Sequence, residues 1–147
     1  MDKWHGYFML VARETARLSK DPSTQVGAVA VRDRRIVAVG FNGLPMGVHD
    51  DPLRYADRER KLLMTVHAEA NVIADAARRG VTLENCSLYV THPPCPHCCG
   101  LIIQAGVLTV YYPEADREFL LRWADAITVS NGMFREAGIS TFELPAP

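Results

Sequence analysis

The sequence predicts an α/β protein in which five strands form one mixed sheet covered by helices on both faces. Three observations predict it. Short apolar, β-branched runs alternate with longer stretches of helical periodicity, in the order α-β-β-α-β-α-β-α-β. The chain of 147 residues reads as a single domain, 1–147, long enough to bury a core. Apolar residues make up 48% and charged residues 22%, which is the balance of a folded globular chain and not of a disordered one.

The elements follow in order. Trp4, Tyr7, Phe8, Val11, Ala12, Thr15 and Leu18 recur at helical spacing, and Asp21-Pro22-Ser23 ends this first helix because proline disfavours a helical residue before it. Val26 to Val31 and Ile36 to Phe41 are apolar runs around the polar turn Asp33-Arg34. They predict a hairpin whose strands are buried on both faces. Gly40 and Gly43 flank Asn42 and mark a sharp exit from the second strand. The stretch 43–60 has turn formers without a period, so it is expected to be a functional or mobile loop, with a short exposed helix between Leu53 and Lys61.

A second main helix is expected over 67–79, burying Ala68, Val72, Ile73 and Ala76, with Arg78-Arg79 at its negative end and Gly80 beyond the cap. Ser87 to Thr91 is a third strand. Pro93-Pro94 stop it, and a third helix starts near Pro96 and runs to about Ala105. Leu108 to Tyr112 is a fourth strand. Phe119, Trp123, Ile127, Phe134 and Ala137 mark a last helix, with a break expected at Asn131-Gly132, and Ser140 to Leu144 is an edge strand.

Sixteen basic against seventeen acidic side chains give a net charge of −1, so no nucleic-acid partner is expected on charge, short of a local basic patch. No apolar run approaches the ~18 residues of a membrane span, and the N-terminal stretch is amphipathic. A cytoplasmic protein without a membrane partner is expected. In that compartment four cysteines point to metal or free thiols, not disulfides.

Two short segments carry the chemistry: His67-Ala68-Glu69 and Pro94-Cys95-Pro96-His97-Cys98. Catalytic zinc takes three protein ligands and keeps a fourth position for water. His67, Cys95 and Cys98 supply three. His67 and Cys95 are 28 positions apart, yet each stands where the chain enters a helix. Helix N-termini stabilise thiolates, so packing the two helix starts together would assemble the site. Glu69 would then sit in the first turn after His67, free to move protons beside water activated by the metal. A structural zinc would need a fourth protein ligand, for which His92 and His97 are the candidates, and His97 is expected to point away. Cys86 and Cys99 are expected to be buried thiols. His5 and His49 are expected at the surface, and Glu59, Glu84 and Glu136 as solvated carboxylates.

The pattern His-x-Glu…Pro-Cys-x-x-Cys matches the signature of zinc nucleobase deaminases. Within them the chain resembles the cytidine/deoxycytidylate deaminase family, closest to its deoxycytidylate subgroup. The matching text is Ser19-Lys20-Asp21-Pro22-Ser23-Thr24-Gln25-Val26-Gly27-Ala28, Gly40-Phe41-Asn42-Gly43-Leu44-Pro45 with Asp50-Asp51, His67-Ala68-Glu69-Ala70-Asn71, and Leu101-Ile102-Ile103-Gln104-Ala105-Gly106. It extends to about Ile139.

The resemblance implies a three-layer α/β/α sandwich (the cytidine deaminase-like fold), one catalytic Zn2+ per subunit, and conversion of dCMP to dUMP for thymidylate synthesis. It implies that Asn42 contacts the nucleotide, and that Ala68, His92 and Pro93 surround the pyrimidine. It further implies a homo-oligomer, with a hexamer favoured, activated by dCTP and inhibited by dTTP. The loop carrying Gly43, Gly47, Asp50 and Asp51 corresponds to the allosteric region, although Gly47-Val48-His49-Asp50 stands where relatives often carry Gly-Cys-Ser-Asp. The 5′-phosphate needs a cation, for which Lys20 and Arg58 are candidates, each weighed against an ordinary solvated charge. Other readings are a tRNA adenosine or free-base deaminase of the same chemistry, and a non-catalytic zinc module that binds nucleotides.

Overall fold

The computed structural model describes residues 2–145. Helix α1 (Lys3–Ala16) is followed by strands β1 (Gly27–Arg32) and β2 (Arg35–Phe41). Two short helices, α2 (Pro52–Ala56) and α3 (Arg58–Met64), precede α4 (Ala68–Arg78). The remainder alternates: β3 (Ser87–Val90), α5 (Pro96–Gln104), β4 (Thr109–Pro113), α6 (Arg117–Glu136) and β5 (Ser140–Leu144). One five-stranded sheet results, in the order β2-β1-β3-β4-β5. Strand β1 runs antiparallel to β2 and β3, whereas β3, β4 and β5 are parallel, so the sheet is mixed as expected.

Strand periodicity divides the interior in two. Ala28 and Ala30 of β1 face a core with Val72 and Ala76 of α4, Ile102 of α5 and Phe134 of α6. Val29 and Val31 point the other way, against Phe8, Met9 and Ala12 of α1. The sheet is therefore the middle of three layers. Small residues let the layers meet closely. A Cβ on Gly40 would lie 2.5 Å from the Ala68 carbonyl oxygen, so β2 can approach the start of α4 only with glycine there. That contact, and not a sharp exit from the strand, is the reason for Gly40.

Four further expectations need correction. The hairpin is not buried on both faces: β1 is, but β2 is the sheet edge, and Val39 and Phe41 stand exposed. The stripe of α1 keeps Phe8, Ala12 and Thr15 buried as expected but takes in Met9 and Ala16 in place of Tyr7, which is exposed, and Leu18 lies exposed beyond the helix end. Helix α6 runs unbroken through Asn131-Gly132, because Phe134 beyond them is anchored in the core and outweighs the roughly 1 kcal/mol cost of a helical glycine. His5 is not a free surface histidine: its Nδ1 lies 2.9 Å from the Tyr89 hydroxyl. Cys86 and Cys99 are buried thiols, and His49 is exposed, as expected. No helix among the described residues is long and apolar enough to cross a membrane.

Candidate metal and nucleotide site

The site forms where two helices begin. His67 is the N-cap of α4, and its side chain makes no capping hydrogen bond, so the ring is free to turn outward. Cys95 is the N-cap of α5, and its sulfur accepts from the Cys98 amide at 3.5 Å. Pro96 in the first turn costs no helical hydrogen bond. The spacing of three residues sets both sulfurs on one side of that turn. His67 Nδ1 lies 3.6 Å from Cys95 Sγ and 3.4 Å from Cys98 Sγ. All three donor atoms lie within 4.8 Å of one another.

The electrostatics suit a cation. The sulfurs of Cys95 and Cys98 share a hydrogen bond, which holds the Cys95 thiol well below its ordinary range and, together with burial, pushes that of Cys98 up. The hydrogen bond with Cys95 raises His67, against the effect of burial. Two sulfurs competing for one proton beside an imidazole nitrogen form a donor set that a dication would take over. One nitrogen and two thiolates fit zinc, with its fourth position left to solvent or substrate. Among the described residues no fourth protein ligand joins them: His92 lies outside the cluster, and His97 is exposed, as expected.

Glu69, in the first turn of α4, is buried although charged residues are rarely so. Burial pushes its carboxyl up to about 7, outweighing the hydrogen bond from its own amide and the attraction of His67. A carboxyl poised there can both accept and release a proton near neutral pH. Together with His67 and Cys95 it lines a cavity of about 230 Å3.

Ala68, His92, Pro93 and Asn42, each expected at the substrate, all line this cavity. Burial holds the His92 imidazole below its usual range, and its ring lies 5.6 Å from that of Phe119. Asn42 has no positive φ and is not merely a turn former. Its Oδ1 accepts from the Val26 amide at 2.8 Å and its Nδ2 donates to the Thr24 carbonyl at 2.9 Å, so it clamps β2 to the segment before β1. The loop residues Gly43, Gly47, Asp50 and Asp51 do not line the cavity. Gly43 pairs with Val66, Gly47 takes φ +83°, Asp50 accepts from Lys20 and Tyr55, and Asp51 caps α2.

Sequence reasoning missed two contributors. Helix α6 supplies Phe119, Trp123 and Ile127 to the cavity, although their spacing marks only a helix. Lys61 and Asp21 also line it and pair at 3.1 Å. Lys61 was hidden in a dense run of charges, and Asp21 was read only as a helix stop. Asp21 lay inside a matched segment, whereas nothing in the chain marked Lys61. Lys20 pairs with Asp50 and Arg58 is exposed, and neither lines the cavity.

Comparison with known proteins agrees with this geometry. Residues 2–114 match the family model described as the cytidine and deoxycytidylate deaminase zinc-binding region. The chain is 48% identical over 145 residues to an uncharacterized deaminase in the luxG 3′ region of Aliivibrio fischeri, covering 99% of this chain and 96% of that one. It is 37% identical over 144 residues to the deoxycytidylate deaminase of Homo sapiens, covering 94% of this chain and 78% of that one. Among solved structures, the dCMP deaminase of cyanophage S-TIM5 in complex with dCMP and dUMP superposes with a TM-score of 0.81 at 26% identity, with 98% of each chain covered.

Proposed function

The chain belongs to the cytidine and deoxycytidylate deaminase zinc-binding family, and we propose that it hydrolyses dCMP to dUMP and ammonia, with residues 1–147 acting as one catalytic domain. The observation that carries this reading is the buried Glu69 carboxyl opening into the same cavity as His67 and Cys95. A module that only bound nucleotides would have no use for a proton-transfer group there.

His67, Cys95 and Cys98 would hold the zinc, which would act there as a Lewis acid and make water nucleophilic near neutral pH. Glu69 takes a proton from the attacking water and delivers it to N3 of the cytosine ring. The new C–O bond forms at C4. Glu69 then carries the second proton to the exocyclic amine, the C4–N bond breaks, and ammonia leaves as the uracil carbonyl forms. Ala68, His92 and Pro93 surround the pyrimidine, with Phe119 and Trp123 supplying apolar surface that limits water. Asn42 keeps the cavity wall in place and can offer the second proton of its amide to the nucleotide.

The finer parts of the proposal are a homohexamer and control by dCTP and dTTP. Exposed Val39 and Phe41 on the edge strand support self-association. A second hollow beside the Gly43–Asp51 loop, lined by Lys20, Asp50 and Tyr55, supports an effector site there. Ammonia release from zinc-loaded protein tests the whole reading, using dCMP, CMP, deoxycytidine, dCTP, 5-methyl-dCMP and cytosine with and without each triphosphate. Turnover of dCMP above the others is expected. Inactivity on every mononucleotide would overturn it and turn attention to tRNA.

A further inference from the structure

Resting on the dCMP reading, we propose that Lys61 binds the 5′-phosphate of the nucleotide and that Asp21 is the positioning residue that holds it there. A nucleoside monophosphate brings a dianion into the cavity, and the dianion needs a cation. Among the described residues lining the cavity, Lys61 is the one lysine or arginine. It is also buried, at 9% exposure, which is rare for lysine and costs hydration of the ammonium.

The local hydrogen bonding leaves room for a ligand. Lys61 Nζ has three protons and, among the described residues, donates one, to Asp21 Oδ1 at 3.1 Å. Asp21 Oδ1 also accepts from the Ser23 and Thr24 amides at 2.8 and 3.2 Å, so the carboxylate is fixed by the chain that precedes β1. Two ammonium protons remain for phosphate oxygens, and Thr24, whose side chain carries a hydroxyl donor, lines the same cavity. A buried ion pair adds little stability relative to apolar residues of similar size. Its position in the cavity, six residues before His67, accounts for a lysine there better than bracing does.

The test compares zinc-loaded wild type with Lys61→Met, Lys61→Arg and the doubly neutral Asp21→Asn/Lys61→Met, which leaves no unpaired buried carboxylate. One arm measures kcat/KM for dCMP and for deoxycytidine. A second measures calorimetric binding of dUMP and of deoxyuridine. The preference for phosphorylated over unphosphorylated ligand is expected to fall about 10-fold to 100-fold in both methionine variants, mostly through KM, with partial recovery in Lys61→Arg. Equal losses on both ligands, with the preference kept, would overturn the assignment and leave Lys61 a brace. Wild type that turns over no dCMP would overturn the parent reading alone. The binding arm then still decides Lys61: a lost dUMP preference supports it and a kept one rejects it.

Discussion

His67 Nδ1 lies 3.4 Å from Cys98 Sγ although 31 positions separate the two residues. Nothing local connects them. They meet because α4 and α5 start side by side, each with a ligand at its N-cap. The positive ends of both helices then face the same point, where thiolates are favoured, and among the described residues no carboxylate joins the donor cluster.

Loss of one ligand should therefore empty the site. His67→Ala or Cys98→Ala is expected to reduce bound zinc from about one ion per chain to near none, because two donors cannot hold a catalytic ion against chelation. Metal analysis after dialysis against a chelator reads this directly. A variant that keeps a full equivalent would move the metal elsewhere.

Glu69 is not a ligand in this arrangement, so Glu69→Gln should separate binding from chemistry. Zinc content is expected to stay at the wild-type value while deamination falls at least ~100-fold, the lower end of general acid–base contributions. Unchanged turnover would remove Glu69 from the mechanism.

Asp21 gives the pH dependence a definite sign. Burial opposes its ionised form, but hydrogen bonds from the Ser23 and Thr24 amides and the Lys61 ammonium outweigh burial and hold the carboxyl below its ordinary value. Its contribution is thus complete above an unfolded aspartate's value near ~4 and is lost as pH falls through the lower folded value. Asp21→Asn should cost about 3 kcal/mol at pH 7, since it strands Lys61, and should flatten the decline in stability below about pH 4. Urea unfolding across pH measures both, and an acid limb parallel to that of wild type would contradict the role of Asp21.

Gly40 controls how closely the sheet approaches the site. Gly40→Ala drives a Cβ to within 2.5 Å of the Ala68 carbonyl oxygen and the Val72 amide nitrogen, so α4 must shift. A loss of roughly 1–3 kcal/mol is expected, together with reduced kcat, because His67 and Glu69 ride on the start of that helix. Equal stability and rate in the variant would show that the helix yields freely.

Strands β3 to β5, the helices between them and the two zinc-bearing segments were all legible in the chain, because each depends on local periodicity, proline position or ligand spacing. The full burial of Glu69 was not, nor was the exposure of β2. An apolar run such as Ile36 to Phe41 cannot reveal whether a neighbouring strand exists on its far side. The apolar stripe of α6 carried the same ambiguity: Phe134 went to the core, whereas Phe119 and Trp123 went to the cavity.

By itself the sequence named His67, Cys95 and Cys98 as the donor set, Glu69 as the proton carrier we propose, and the order of elements, since these are matters of residue chemistry and short-range spacing. Only the tertiary structure decided which distant side chains share the cavity. It set Lys61 against Asp21 across 40 positions and drew α6 over the cavity beside the metal ligands. Charge–charge and packing contacts of that range depend on how layers close over the sheet, and no single stretch of chain encodes that closure.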